Sequence, residues 1–217
     1  MSQPLPILYI DALSTSPYAM SVWVTLQAKG LPFETRVLDL YAGEQHDPDF
    51  ARRSYFKRVP LWCEEGFELS ESSAIVEYLE ERYPAPQYVP VLPQEQRQRA
   101  RCRQVQAWIR SDLLALRAER STEVVFMYAP IQPLSEAAQA AADKLVFAAE
   151  QLLPDGRTQL FDQWSIADVE LATMLMRLHA NGELASAPLR DFVDRQWSHP
   201  VVQAWAKSHR QIGRAHV

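Results

Sequence analysis

Lys57-Arg58-Val59-Pro60-Leu61, followed ten residues on by Glu71-Ser72-Ser73-Ala74-Ile75, is the stretch on which the reading of this chain turns. Proline inside a strand-like apolar run removes a ladder donor, so it belongs at an edge or in a strained turn. The Val59-Pro60 peptide bond is expected to be cis. In that geometry the Val59 backbone stays unpaired and open to an extended, peptide-like ligand. An acidic residue and a serine then open a helix, where first-turn N–H groups gather an anion. The pattern implies a grip for a small charged peptide.

Working outward, residues 6–11 read as a short buried strand. Ser16-Pro17 opens a helix that runs to about Lys29, stopped by Gly30 with Pro32 beyond, which is ordinary helix punctuation. Glu34 to Leu40 forms a second strand, and this β-α-β unit favours a parallel pair with a right-handed crossover. A short helix is expected around Pro48 to Arg52. Val59 to Cys63 and Phe67 to Leu69 then make an antiparallel hairpin. Ile75, Tyr78, Leu79 and Tyr83 mark one face of the next helix, which ends before Pro84. The expected order is β-α-β-α-β-β-α.

The rest reads as helical. Residues 1–84 form an α/β domain, the proline-rich 85–93 a semi-rigid linker, and 94–212 an all-α domain. Val105, Trp108, Ile109, Leu113 and Leu116 mark one long amphipathic helix, and Leu145, Ala148, Ala149 and Leu152 mark another. Ser165-Ile166-Ala167-Asp168 is a variant capping box ahead of a helix carrying Leu171, Leu175 and Leu178. Shorter helices start at Pro188 and Pro200. Gly213 to Val217 fits no element.

Composition narrows the function. The 217 residues suffice for a well-buried core, and 47% hydrophobic with 23% charged residues is ordinary for a globular protein. A net charge of −5 gives nucleic acid no foothold. Cys63 and Cys102 lie far apart, with no disulfide framework and no metal-ligand spacing. Neither a secretory signal nor an apolar run long enough for a membrane span is visible, so a cytoplasmic location is expected.

In this order, Ser16-Pro17-Tyr18, Arg58-Val59-Pro60-Leu61, Glu71-Ser72-Ser73-Ala74-Ile75 and Ser165-Ile166-Ala167-Asp168 resemble the cytosolic glutathione transferase family. Phe67-Glu-Leu-Ser-Glu-Ser-Ser-Ala-Ile, with Gln106-Ala-Trp-Ile-Arg-Ser-Asp-Leu later, looks most like a bacterial serine-type member. The resemblance implies a thioredoxin-like N-terminal domain that binds glutathione and an all-α C-terminal domain that shapes the acceptor site. It implies a homodimer, and glutathione as a cosubstrate with no further cofactor. The reaction implied is attack of the glutathione thiolate on an electrophilic small molecule, or on a hydroperoxide. A non-catalytic binding or regulatory module of the same fold is the alternative. One departure stands out: many members carry Asn-Pro-x-Gly ahead of Val-Pro, where this chain has Ser54-Tyr55-Phe56-Lys57-Arg58.

The same resemblance distributes roles. Val59 would pair its backbone with the cysteinyl unit of glutathione, and Pro60 would shape that turn. Glu71 would take the γ-glutamyl ammonium and Ser72 its carboxylate; the plainer reading is a helix start capped by Ser70. Ser16 would hydrogen-bond the sulfur and stabilise the thiolate, or serve only as an N-cap, with Ser14 and Tyr18 as rivals. Glutathione needs such help because a free thiol near pKa ~8.5 is only a few per cent ionised at neutral pH. His46 or Arg58 would meet the glycyl carboxylate. Trp108, Met127 and Tyr128 are candidates for an apolar acceptor lining. Arg103, Arg110 and Arg117 form a stripe, read as a solvated face or dimer rim, or as cleft residues. Asp168 is read as structural, and both cysteines as small buried hydrophobes.

Overall fold

The computed structural model describes residues 4–127, 129 and 131–215, and of 208–215 the backbone alone. Two compact units emerge: the described residues of Met1–Val91 with those of Ala204–Val217, and Leu92–Gln203.

The first unit carries β1 (Ile7–Asp11), α1 (Pro17–Ala28), β2 (Glu34–Leu38), a 3-10 turn (Glu44–His46), α2 (Pro48–Arg53), β3 (Leu61–Glu64), β4 (Phe67–Ser70) and α3 (Ser72–Arg82). The sheet order is β2-β1-β3-β4, with β1 parallel to β2 and antiparallel to β3. The parallel pair and the hairpin are those that the sequence predicts. Glu65 and Gly66, both at positive φ (50° and 84°), make the two-residue turn between β3 and β4, and paired left-handed residues suit the strands' twist. β3 starts at Leu61, two residues later than expected, because Pro60 offers no ladder donor. The Val59–Pro60 peptide bond is cis, as is Ala85–Pro86.

Alternation along β1 divides the core. Leu8 and Ile10 are buried, as are Val22 and Leu26 of α1 and Ile75, Val76 and Leu79 of α3. Across the sheet, Tyr9 and Cys63 pack against a cluster of Leu38, Phe50, Val59 and Leu61. Cys102 is buried as expected, whereas Cys63 is only half-buried, beside Arg53 and Glu68, and burial pushes its thiol pKa up.

The proline-rich stretch after α3 is pinned rather than loose. Lys29 reaches Glu80 at 2.7 Å with both side chains buried, and its ammonium also donates to the carbonyls of Tyr83 (2.9 Å) and Val89 (3.1 Å). Glu80 in turn accepts the Val91 N–H at 3.1 Å. One ion pair thus fixes both ends of the stretch.

The second unit holds α4 (Gln96–Ser111), α5 (Leu114–Glu119), α6 (Thr122–Phe126), α7 (Glu136–Leu152), α8 (Ile166–His179) and α9 (Ala187–Trp197). Helix α10 (Pro200–Ala215) begins in this unit and ends in the first, where Trp205 packs on Trp23 at 5.6 Å between ring centroids. Its backbone takes in Gly213–Ala215, which the sequence left without an element; His216 and Val217 lie outside the described residues, as does Tyr128. The single helix expected through Leu116 is broken instead. Leu113 adopts φ 62°, Asp112 caps the end of α4, and α5 restarts on a new axis. Helix α8 is buried on every side from Ile166 to Leu178, and its start is held by Asp168. That carboxylate accepts the N–H of Leu160 (2.6 Å), the N–H of Ser165 (2.8 Å) and the Ser165 hydroxyl (2.9 Å).

Candidate active site

The β1–α1 connection is organised by Asp11, a residue the sequence reading passed over. It is buried at the end of β1, and its carboxylate accepts the Thr15 N–H (2.7 Å), the Thr15 hydroxyl (3.1 Å) and the Ser16 N–H (3.1 Å). The signal was present: an acidic residue closing an apolar strand just before a Ser/Thr-rich loop invites side-chain turns of this kind. Ser16 is thereby fixed as the N-cap of α1, and its Oγ accepts the Ala19 N–H at 3.2 Å. Accepting that bond leaves the hydroxyl proton available to donate. Ser16 as a residue is half-buried. Its rival Ser14 is fully buried at φ 51°, and its hydroxyl has no hydrogen-bond partner among the described residues. Tyr18 is half-buried on the first turn of α1.

Val59 sits between the end of the loop and β3. Among the described residues neither its N–H nor its C=O has a hydrogen-bond partner, as an edge reserved for an added strand requires. The loop leading to it is held by Ser54, which is fully buried. Its Oγ donates to the Arg58 carbonyl at 3.1 Å, accepts the Arg58 N–H at 3.3 Å and lies 3.4 Å from the Ser70 hydroxyl. Ser54 stands where the departure from Asn-Pro-x-Gly begins, and it supplies the loop's internal bond.

Ser70 ends β4, and the N-cap of α3 is Glu71, not Ser70 as the plainer reading had it. Glu71 makes no capping bond, so its exposed carboxylate is not spent on its own helix. Its backbone sits at φ 71°, ψ 111°, a conformation that L-residues other than glycine seldom hold. Ser72, the first helical residue, is buried. The strain and the missing cap fall together at the amide-rich mouth of α3, where an anion is favoured.

The remaining candidates are less tightly placed. His46 is exposed at the end of the 3-10 turn, its N–H bonded to the Gly43 carbonyl at 2.9 Å, and no hydrogen bond among the described residues joins it to Val59 or Glu71. The Arg58 side chain is exposed, and only its backbone is anchored. In the helical unit, Arg110 forms a two-bonded pair with Glu170 (2.6 and 2.9 Å) and caps the Gln106 carbonyl, which makes it a core ion pair of α4 and α8. Arg117 donates to the Arg110 carbonyl, and Arg103 stays exposed. Trp108 is half-buried with its indole bonded to Asp112, while Met127 is 48% exposed. No group of three or more His, Cys, Asp or Glu among the described residues has metal-holding geometry. No described helix is long and apolar enough to cross a membrane.

Comparison with known proteins agrees with this architecture. Residues 12–87 match the model of the glutathione S-transferase N-terminal domain, and residues 95–209 that of the C-terminal domain. Human glutathione S-transferase theta-1 is 33% identical over 138 residues, which cover 62% of this chain but only 56% of that protein. A glutathione transferase homologue from Burkholderia gl BGR1, solved with bound glutathione, is 44% identical, covers 96% of this chain and 100% of its own, and superimposes with a TM-score of 0.80. A maleylacetoacetate isomerase of Methylobacterium extorquens AM1, solved with malonate and glutathione, is 26% identical over 94% of this chain and 97% of its own, with a TM-score of 0.72. By its two matching domains and its 44% identity to that homologue, the chain belongs to the glutathione S-transferase family.

Proposed function

We propose that this protein is a glutathione-dependent transferase in which Ser16 stabilises the thiolate of bound glutathione for attack on a small electrophile or a hydroperoxide. The observation that carries the reading is the Ser16 hydroxyl: half-buried at a helix N-cap, with its backbone tied to Asp11 and its oxygen accepting the Ala19 N–H, which leaves its proton free to donate to a ligand. The positive end of α1 adds to the same preference for a thiolate. Val59 offers an unpaired backbone edge to the cysteinyl unit, with Pro60 setting the turn. Glu71 and Ser72 offer a carboxylate and a helix mouth to the γ-glutamyl head. His46 and Arg58, both exposed, supply an imidazole and a guanidinium toward the glycyl end.

In the transfer reaction the sulfur lone pair forms the new bond to carbon while the leaving group departs with its electrons. With a hydroperoxide the sulfur attacks the terminal oxygen, the O–O bond breaks and the alcohol leaves, and a second glutathione thiol then displaces water from the sulfenic acid to give the disulfide. A homodimer working in the cytoplasm is part of the proposal, by analogy with the family. The Burkholderia relative with glutathione bound supports a glutathione site, and the isomerase relative supports a wider set of thiolate-addition chemistries.

The test is retention on immobilised glutathione, followed by turnover of chlorodinitrobenzene and cumene hydroperoxide with glutathione titrated. Binding with turnover of either acceptor is the expected result. Binding without turnover of any electrophile or hydroperoxide would favour the non-catalytic module, and failure to bind would remove the reading.

A further inference from the structure

Period-two alternation sets Trp62 and Glu64 on one face of β3, just before the Glu65-Gly66 turn. Glu64 is only 7% exposed. Its Oε1 accepts the Tyr83 hydroxyl at 2.7 Å, and its Oε2 accepts the Tyr78 hydroxyl at 2.8 Å and the Trp62 indole N–H at 3.4 Å. Burial, and then the hydrogen bond to Glu64, push the phenol pKa values of Tyr78 and Tyr83 up, so both remain donors. All three donors are neutral. No Lys, Arg or His nitrogen among the described residues lies within ion-pair distance of this carboxylate. The similarly buried Glu80 and Glu170 do have such partners, Lys29 at 2.7 Å and Arg110 at 2.6 Å. A buried carboxylate ordinarily carries a cation, and Glu64 keeps one acceptor position of about four unfilled.

Glu64 also lines a cleft of about 430 Å³ that lies wholly within the α/β unit. Aromatic and proline side chains wall it: Trp62, Tyr83 and Tyr88, with Pro6 ahead of β1 and Pro32 beyond α1. Tyr83 and Tyr88 meet edge to face, their ring centroids 5.2 Å apart. Three charged residues face the cleft. Glu64 and the exposed Glu65 are negative; Arg82 is positive and exposed, its guanidinium 5.7 Å from the Tyr83 ring centre. The cleft therefore has a surplus of negative charge, with one like charge at hand to repel a second positive centre on any cation that enters.

Its place in the fold separates it from the candidate glutathione residues. Ser16 follows the end of β1, whereas Pro6 precedes its start, and five residues of strand span about 17 Å. Val59 leads into β3 and Glu64 closes it; Ser72 opens α3 and Arg82 closes it. Each element thus carries one candidate site at one end and this cleft at the other.

We propose that the cleft is a binding site for a small organic monocation, an ammonium group on an apolar body, whose charge meets Glu64 and whose body lies against Trp62, Tyr83 and Tyr88. Aromatic faces attract a cation within about 6 Å, and a carboxylate gives it a charge-assisted hydrogen bond. The site does not depend on the transferase reading.

The probes are phenethylammonium, its neutral counterpart 2-phenylethanol and the anion phenylacetate, titrated calorimetrically into the full-length protein. Expected is an ammonium that binds about tenfold tighter than the alcohol, with no measurable binding of phenylacetate. Glu64→Gln removes the charge and should bring ammonium and alcohol within about twofold of each other. Arg82→Gln changes an exposed side chain, leaves the buried carboxylate intact and should tighten the ammonium about threefold, as loss of a like charge some 6 Å away would. That variant and the three-ligand comparison in the wild type decide the matter even if Glu64→Gln does not fold. Saturating glutathione should leave the ammonium affinity unchanged. Equal binding of ammonium and alcohol in the wild type, or no binding of either, would overturn the proposal. So would an Arg82→Gln protein with unaltered ammonium affinity, or competition between the ammonium and glutathione, which would place the cation at the other end of the unit.

Discussion

The hydroxyl of Ser54 closes a ring on Arg58, donating to its carbonyl at 3.1 Å and accepting its N–H at 3.3 Å, from a position with no solvent exposure. Through those two bonds one buried atom sets the approach to Val59, and through Ser70 at 3.4 Å it also touches the strand that delivers Glu71. Both proposed backbone and head-group contacts to glutathione therefore share a support. Removing it costs a hydrogen bond of about 1 kcal/mol and frees the loop, so Ser54→Ala weakens glutathione binding by roughly five- to tenfold. Calorimetry on the folded variant measures this. An unchanged Kd would show that the loop keeps its shape without the hydroxyl.

Ser16→Ala is expected to leave glutathione affinity within about twofold but to raise the pKa of the bound thiol by about one unit, which is about 1.4 kcal/mol of lost thiolate stabilisation. Since the thiolate is the reactive form, the acidic limb of the pH–rate profile moves up by the same unit, and the rate at neutral pH falls several-fold. The ultraviolet absorbance of the thiolate, followed against pH in the complex, reports it directly. Ser14→Ala serves as the contrast: it removes a buried hydroxyl that has no partner among the described residues, so the thiol is unaffected and stability holds or improves.

Much of this was legible in the sequence, for identifiable reasons. Period-two alternation in β1, proline and glycine punctuation around α1, and the Glu65-Gly66 turn are local signals, and each element they announced is present. The Ser165–Asp168 box is likewise local, with donor and acceptor three residues apart. What escaped was long-range or conformational. Lys29 meets Glu80 across half a domain, which no spacing announces. The break at Leu113 interrupts a sound apolar pattern with one left-handed residue, and periodicity carries no information about backbone sign. Ser54 read as a departure because the replacement of an amide by a hydroxyl hides the fact that both can bond a neighbouring backbone. Asp11 closes the strand five residues ahead of Ser16, and only the folded loop brings its carboxylate onto the Ser16 N–H.

Lys29 and Glu80 form a buried pair, and the value of such a pair shows in what happens when half of it is lost. Lys29→Met strands the Glu80 carboxylate and frees the carbonyls of Tyr83 and Val89, so a loss of about 3–5 kcal/mol is expected in denaturant unfolding. Lys29→Met with Glu80→Gln should recover a good part of it, because no buried charge remains. A single variant as stable as the wild type would show that water reaches the pair.

Asp168 supplies a pH dependence whose sign can be worked out. Burial, partly opposed by the donors on Leu160 and Ser165, pushes its pKa up to about 6 from the ordinary value of 3.8. The folded state therefore binds this proton more tightly than the unfolded chain does. The stability that goes with the bound proton is fully present below about pH 4 and is lost as pH rises through about 6, with no further change above about 7. Against Asp168→Asn, which does not titrate, the wild type should lose on the order of 2–3 kcal/mol between those limits. Unfolding free energies of both proteins at a series of pH values give the difference. A difference constant from pH 4 to 7 would mean that the carboxylate is solvated in the folded state.

Glu71 combines strain with an exposed, unspent carboxylate, and two substitutions separate these properties. Glu71→Gly suits the positive φ, and the strain relieved, about 1–3 kcal/mol, exceeds the added chain entropy of about 0.5–1 kcal/mol, so the variant should be more stable by about 1 kcal/mol. It also deletes the group proposed to hold the γ-glutamyl ammonium, and glutathione affinity should fall about tenfold, in keeping with a charge-assisted hydrogen bond. Glu71→Gln keeps the strain and the side-chain length but not the charge; it should lose affinity to a similar extent with stability unchanged. Melting temperature and glutathione Kd, measured side by side, place the three proteins on two independent axes. A glycine variant that gained stability and kept full affinity would mean that the backbone at this position is strained for a reason other than presenting its side chain to the ligand.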